Sequence, residues 1–414
     1  MRRSALALAA RVVEQRLNAD TSDQAGPTLP CACGSETHYA GRRRKTITTV
    51  LGNLTLERAY YHCAVCQGGF YPRDRALGFQ GTSLSPAVTR MIGLTASLVS
   101  FAESSELLQD LAGVGIGAKQ VERTAEGLGR EIVHDERTVL DPDPPVAPTL
   151  YLGMDGTGVP MRACEVEGRR GKQSDGSART REVKLVTVWS AEGRDPEGLP
   201  VRDPGSVTYT AAIESASGRD TDPTSSAFAQ RADREAQRRG FDHVKRRVVI
   251  GDGAPWIWNL ADELFPDAIQ IVDLFHAKQH LSDLAKALFG PDNPLGREWA
   301  RRRHLELDEG RMGTLLKAIR RYADTHDAAR KCLDYLTRNQ TRMRYTHFRA
   351  QGLCVSSGVV EAGVKVAIGT RLKRAGMHWT VAGANAIIAL RCCKLSGRFP
   401  NFWVRRSVRM KAAA

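Results

Sequence analysis

At 414 residues and 42% apolar content, the chain is long enough for two to four domains and too apolar to be disordered. Its 60 Lys and Arg against 46 Asp and Glu leave a formal charge of +14, which points to a polyanionic partner. No apolar run approaches the roughly 18 residues a membrane helix needs, so no membrane partner is expected.

In chain order, residues 1–25 come first. Their opening apolar stretch resembles a signal peptide but is broken by Arg11 and Glu14. Leu6, Ala10, Val13 and Leu17 instead share one helix face, so a short helix is expected. Nine cysteines, an odd number with clustered pairs, suit a reducing cytoplasm and a metal site better than a disulfide framework.

Residues 26–80 read as a zinc-ribbon-like β module. Cys63 and Cys66 have knuckle spacing, followed by Gly68 and Gly69. Runs at 46–51 and 54–60 alternate around Gly52-Asn53, a hairpin signal. With Cys31 and Cys33 the module offers four thiolates to a structural Zn²⁺. The spacer between Cys31 and Cys33 is one residue short, which leaves His38 or His62 open as a replacement for Cys31.

Residues 81–140 carry helical patterning. Helices at 104–112 and 118–128, with a glycine-rich turn at 113–117, form a helix-turn-helix-like DNA-binding region. Lys119, Gln120 and Arg123 are its candidate groove-facing residues. A plain helical hairpin would show the same pattern. The Asp- and Pro-rich stretch 141–149 reads as a stiff linker.

Beyond it come strands at 150–154, 183–189 and 207–213, and a helix at 224–239. Strand 247–250, helix 256–264, strand 268–272 and helix 277–289 follow. Three strands, then alternating helices and strands, is the order of an RNase H-like α/β core, here 150–290. A Gly-, Ser- and Arg-rich loop is expected at 168–181. Residues 291–350 read as an all-helical insertion, 351–396 as completion of the core, and 397–414 as a frayed basic tail. Arg301 to Arg303 reads as a solvated face and Trp256 as core.

Three acids follow apolar runs. Asp155 lies in Met-Asp-Gly-Thr-Gly, Asp252 in Gly-Asp-Gly-Ala-Pro-Trp, and Glu361 in Ser-Gly-Val-Val-Glu at a helix start. An acid leaving a strand sits at a sheet rim, where ligands bind. Three converging acids can hold Mg²⁺ or Mn²⁺ for phosphoryl transfer. Asp273 also ends a strand, with His276 three residues on and His280 a turn further. Asp273 reads equally as a helix cap, and the two histidines as a bare zinc-like pair with no third ligand. Arg371, Lys373, Arg374 and Trp379 mix charge with an aromatic ring, suiting phosphates and an unpaired base, or else a helix end with a buried tryptophan.

Together these strings resemble the DDE transposases of bacterial insertion sequences, most closely the ISKra type related to the Mutator-like group. The resemblance implies catalytic Asp155, Asp252 and Glu361, with Asp273 and His276 as the Asp-x-x-His motif, and two Mg²⁺ or Mn²⁺ ions. The basic stretch 371–379 and the cysteine module at 60–66 resemble that family too. It further implies DNA partners, both terminal inverted repeats and target DNA. It also implies action as a dimer or larger assembly, in a bacterial cytoplasm close to the nucleoid. The rival readings are a nuclease of the same fold without strand transfer, and a non-catalytic zinc-ribbon DNA-binding regulator.

Overall fold

The computed structural model describes residues 1–139, 147–171, 173–217, 225–356 and 358–412. The linker expected at 141–149 falls mostly on 140–146, outside the described residues, as does Ser357. The chain divides into two compact units. One is Met1–Asp135 with Gly397–Ala414, and the other is Glu136–Ser396. Among the described residues no helix is long and apolar enough to cross a membrane.

In the first unit, α1 (Arg2–Ala19) packs on a four-stranded antiparallel sheet of β1 (Thr28–Pro30), β2 (Glu36–Thr49), β3 (Gly52–His62) and β4 (Gly69–Phe70), in that order. The predicted apolar face of α1 is the one used. Ala10 is buried, and Val13 and Leu17 pack with it against Ile47, Leu54 and Leu56. The hairpin turn falls two residues before the expected Gly52-Asn53. Thr49 pairs with Gly52, leaving Val50 and Leu51 as the loop. Gly52 opens the next strand at φ +123°, a backbone setting that needs glycine.

After α2 (Pro72–Ala76) come α3 (Pro86–Leu98), α4 (Phe101–Leu107) and α5 (Ala118–Thr138). Ser100 and Glu103 close a reciprocal cap at the start of α4. A wide turn, Leu108–Ala112, ends at Gly113 in the left-handed region. α5 buries Val121, Ala125, Leu128 and Ile132, a stripe of helical period.

The second unit is built on a five-stranded mixed sheet. Its strands are β5 (Thr149–Pro160), β6 (Thr180–Trp189), β9 (Thr208–Ala212), β10 (Arg246–Gly251) and β11 (Ile269–Val272), in the order β11-β10-β5-β6-β9. β5, β6 and β9 pair antiparallel, while β10 and β11 run parallel to β5. A two-stranded ribbon, β7 (Gly193–Arg194) and β8 (Pro200–Val201), leaves the sheet between β6 and β9. The connecting helices are α6 (Ala227–Arg238), α7 (Pro255–Leu264) and α8 (Leu274–Phe289), the last starting three residues earlier than expected. Val186, Val188, Val248, Ile250 and Val272 form the buried centre with Phe228, Trp258 and Leu281.

The insertion is helical, with α9 (Pro294–Asp308), α10 (Met312–Ala323), α11 (Asp327–Asn339) and α12 (Tyr345–Ala350). Then come α13 (Gly358–Gly363), a wide turn Val364–Gly369, α14 (Thr370–Leu372) and α15 (Val381–Leu395).

One expected segment is refined here and another fails. The loop at 168–181 is shaped: Arg170 bridges to Ser177, and β6 already begins at Thr180. The tail is not frayed but forms α16 (Phe399–Ala412), with Phe399 and Phe402 buried. Arg405 and Arg409 both grip Asp135, and Arg406 grips Glu131 at 2.6 Å. The basic run 301–303 is only partly solvated. Arg301 is exposed, but Arg303 is buried against Glu306 at 2.6 Å.

Candidate metal centres and nucleic-acid interface

The cysteine knuckles come together. Cys31, Cys33, Cys63 and Cys66 keep their sulfurs within 4.8 Å of one another, the one such group of metal-ligating side chains found among the described residues. Sulfur separations are 3.4 Å between Cys31 and Cys33, 3.6 Å between Cys31 and Cys66, and 3.7 Å between Cys33 and Cys63. Tetrahedral Zn²⁺ with Zn–S of about 2.3 Å would set sulfurs about 3.8 Å apart, so the donor set fits zinc. The short Cys31–Cys33 spacer is accommodated by a tight turn. The Cys31 amide donates to the Ser35 carbonyl at 2.7 Å, and the Gly34 amide to the Cys31 carbonyl at 3.0 Å. On the second knuckle the Cys63 amide donates to the Gly68 carbonyl, and Gln67 takes φ +58°. His38 and His62 face each other across β2 and β3 and are not members of the group. The amide of Ser35 is the largest influence holding the Cys33 thiol down, while, against the Cys33 amide, hydrogen bonds from the neighbouring thiols push Cys31 up.

Asp252 and Asp273 follow the last residues of β10 and β11 as expected, but Asp155 does not leave its strand: β5 continues to Pro160, and Asp155 pairs with Leu185 of β6. Ile250 of β10 pairs with Gly153 of β5, so Asp252 and Asp155, each two residues on, share one rung. They also share one side of the pleat. Gly251 pairs with Val272, which puts Asp273 on the same rung of the third strand. The three carboxylates do different things. Asp155 accepts from the Gly156 amide at 2.6 Å. Burial pushes its carboxyl up to about 6; the Gly156 amide opposes this and the Asp252 charge adds to it. Asp252 accepts from the Ala254 amide at 2.8 Å, turning the chain into α7. Asp273 is buried and caps α8, accepting from the His276 amide at 2.7 Å. Its carboxylate thus serves a helix start, the capping reading that the sequence also allows.

Glu361 stands apart from Asp155 and Asp252. α13 crosses the sheet with Val360 buried in the core, while Glu361 faces solvent and pairs with Lys365 at 2.8 Å. The side chains of that pair are 62% and 71% exposed, so it contributes about 0.3–0.5 kcal/mol. His276 lies within electrostatic range of both Asp155 and Glu361. Lys373 donates to the Thr157 hydroxyl and feels the Asp155 charge. A half-buried carboxylate with a second acid beside it offers the oxygen ligands that a hard divalent cation takes.

Two participants have no sequence signal. Glu182 of β6 adds negative charge near Asp155. Tyr335 of α11 donates its hydroxyl to the Asp252 carbonyl at 2.9 Å. Its ring fills the space beside Gly253, where a Cβ would come within 2.5 Å, and Gly253 sits at φ +95°. His280 lies over that ring at 4.0 Å between centroids. The helical insertion therefore holds the backbone of the second Asp.

The remaining residues divide. Lys119 is exposed and pairs with Glu122 at 2.8 Å, and Gln120 and Arg123 are exposed beside it. Gln120 and Arg123 line a polar cavity of about 540 Å³ with Thr82, Glu131 and Arg406. Arg374 is exposed, as is Lys373. Arg371 and Trp379 are corrections. Arg371 is fully buried with its guanidinium 5.3 Å from the Trp379 ring centre, and Trp379 donates to the Leu372 carbonyl at 3.0 Å. Neither is placed to touch a nucleic acid; they brace the turn that presents Lys373. Trp256 is half-buried, edge-on to Phe228.

No family profile and no curated protein matches the chain. Among solved structures, the Drosophila P element transposase strand transfer complex is similar at 11% identity, over 80% of this chain and 83% of that one, with a TM-score of 0.28. A likeness at that score carries no argument about this chain.

Proposed function

We propose that the protein is a metal-dependent DNA phosphoryltransferase of the DDE transposase type, built on an RNase H-like core. The observation that carries this reading is the nearness of Asp252, just past the end of β10, to Asp155 inside the adjacent parallel strand β5, with Lys373 beside them. The sheet order, three antiparallel strands and then two parallel ones, supports the RNase H-like assignment. The +14 charge supports DNA as the phosphate carrier.

Asp155 and Asp252 would hold the cation, with Glu361 joining from α13. Releasing Glu361 from Lys365 costs about 0.3–0.5 kcal/mol, small beside the attraction of a divalent ion. Bound Mg²⁺ or Mn²⁺ supplies activation of the attacking oxygen and stabilisation of the leaving 3′-oxygen. Lys373 and His276 are positioned to neutralise and orient a phosphate. Tyr335 keeps the Asp252 turn in place. The four thiolates would hold a structural Zn²⁺, and the exposed Lys119, Gln120 and Arg123 would contact the element's ends. Pairing two ends requires at least a dimer on DNA.

The test is strand transfer with purified protein, Mg²⁺ or Mn²⁺, labelled terminal DNA and a plasmid target. Joined product that disappears in Asp252→Asn supports the reading. Cleavage without joining supports the nuclease instead, and binding with neither supports the regulator.

A further inference from the structure

We propose that the far end of β5 carries a binding site for single-stranded nucleic acid, a cleft that receives the strand flanking the reacting phosphate. This rests on the reading above and adds the path of the substrate.

β5 is twelve residues long, but β10 pairs only with its first five, Thr149 to Gly153. From Asp155 to Pro160 that edge has no β10 neighbour. The 371–379 segment takes its place. Lys373 bonds the Thr157 hydroxyl, and the Trp379 amide donates to the Pro160 carbonyl at 3.1 Å. The Arg162 amide returns a bond to the Trp379 carbonyl at 2.9 Å. The strand thus leads from Asp155 past Lys373 to its end, a run of about 17 Å at about 3.3 Å per residue. That spans a few nucleotides.

There it meets a cavity of about 1150 Å³. Met161, Val166 and Ala178 give it an apolar lining, and Arg169, Arg179 and His378 add polar and cationic groups to the same walls. Arg169, Arg179 and His378 are all exposed. Arg181, next along β6, is held close enough to Arg169 for the two charges to oppose each other. Two acids, Glu167 and Asp175, stand on the same walls, against the cations Arg169 and Arg179, and Glu165 lies nearby. Glu165 accepts from the Val381 amide at 3.0 Å and Asp175 from the Ser177 amide at 2.9 Å. The His378 ring and the guanidinium planes offer surfaces on which an unpaired base can stack, with the same arginines available to its phosphates; the bases of a duplex are already stacked on one another. Gly156 and Gly158 make room for their β6 neighbours: a Cβ at either would meet the Glu182 side chain at 2.6 Å or that of Thr180 at 2.9 Å.

The test compares the native chain with Arg169→Ala/Arg179→Ala and Arg169→Lys/Arg179→Lys. Fluorescent single-stranded and duplex oligonucleotides are bound without divalent cation, over a range of salt. Both arginines are exposed, so the variants should melt with the native chain. Removing two phosphate contacts should lower the salt slope on single strands by about 1.4, at about 0.7 per phosphate, and weaken binding about 25-fold at about 0.1 M salt. Duplex binding should change far less, and the lysine pair should recover most of the loss. An unchanged single-strand affinity and slope, or equal losses on both substrates, would overturn the proposal. Strand transfer by the native chain is scored separately with Mg²⁺, so failure of that reading and failure of this site are distinguishable.

Discussion

The two candidate metal centres differ in how finished they are. The four sulfurs stand at zinc spacing, within one small β module. At the acid site Asp155 and Asp252 share a rung, while Glu361 is turned to Lys365 on a solvent-facing helix. A closed set of soft ligands is what a structural metal uses. An open set of hard ligands, part of it contributed by an element that must move little, is what a catalytic metal uses to admit substrate. The difference teaches that ligand identity alone does not separate the two roles; assembly in the folded chain does.

That contrast can be broken at several points. The largest effect should come from zinc. Structural Zn²⁺ is worth about 10–16 kcal/mol in small modules, so chelation or Cys33→Ser should unfold the β module. Removing Mg²⁺ should leave both units folded. Tightly held zinc well below one atom per chain, measured by atomic absorption, would remove the closed half of the comparison.

Next come the residues behind the acid site. Trp379→Ala should destabilise the second unit by about 3–5 kcal/mol, as large buried aromatics do. Lys373→Ala should change stability by under about 0.5 kcal/mol and still reduce strand transfer. Urea melts of the two variants would separate bracing from contact; equal destabilisation would contradict the assignment.

Tyr335→Phe removes one hydrogen bond to the Asp252 turn. A loss of about 1 kcal/mol, about fivefold in Mn²⁺ affinity, is expected with little change in melting temperature. No change in Mn²⁺ affinity would leave Tyr335 a packing residue only.

The smallest effect concerns Asp135. Burial pushes its carboxyl up, but the guanidiniums of Arg405 and Arg409 outweigh this and hold it below its ordinary range. A depressed carboxyl stabilises above its unfolded value and loses that contribution as pH falls through its folded one. The first unit should therefore weaken below about pH 4, and Asp135→Asn should flatten that dependence. A calorimetric acid series on both would check it.

Asp252 was legible because it follows a buried strand and precedes a glycine turn, whereas the Gly156 and Gly158 that suggest a turn after Asp155 are residues of β5 itself. Register is what put the two on one rung, and register depends on pairing partners far away in sequence. Asp273 has the same local pattern as Asp252, yet its carboxylate caps α8; both outcomes look alike in sequence. The same ambiguity misled at Arg371 and Trp379. A basic-aromatic string has one composition whether it faces solvent or, as here, stacks inside a turn. Tyr335 and Glu182 were invisible because they reach the site only through the helical insertion and the strand neighbour. The tail looked frayed because its arginines find Asp135 and Glu131 more than 260 positions away, a pairing no local window contains.

The most direct test of the account is a Mn²⁺ titration of zinc-loaded protein, followed by electron paramagnetic resonance, for the native chain, Asp155→Asn and Asp252→Asn. The account predicts Mn²⁺ binding in the native chain, its loss in either variant, and unchanged zinc content and melting in all three. Equal Mn²⁺ binding by the native chain and both variants would contradict a metal centre at Asp155 and Asp252.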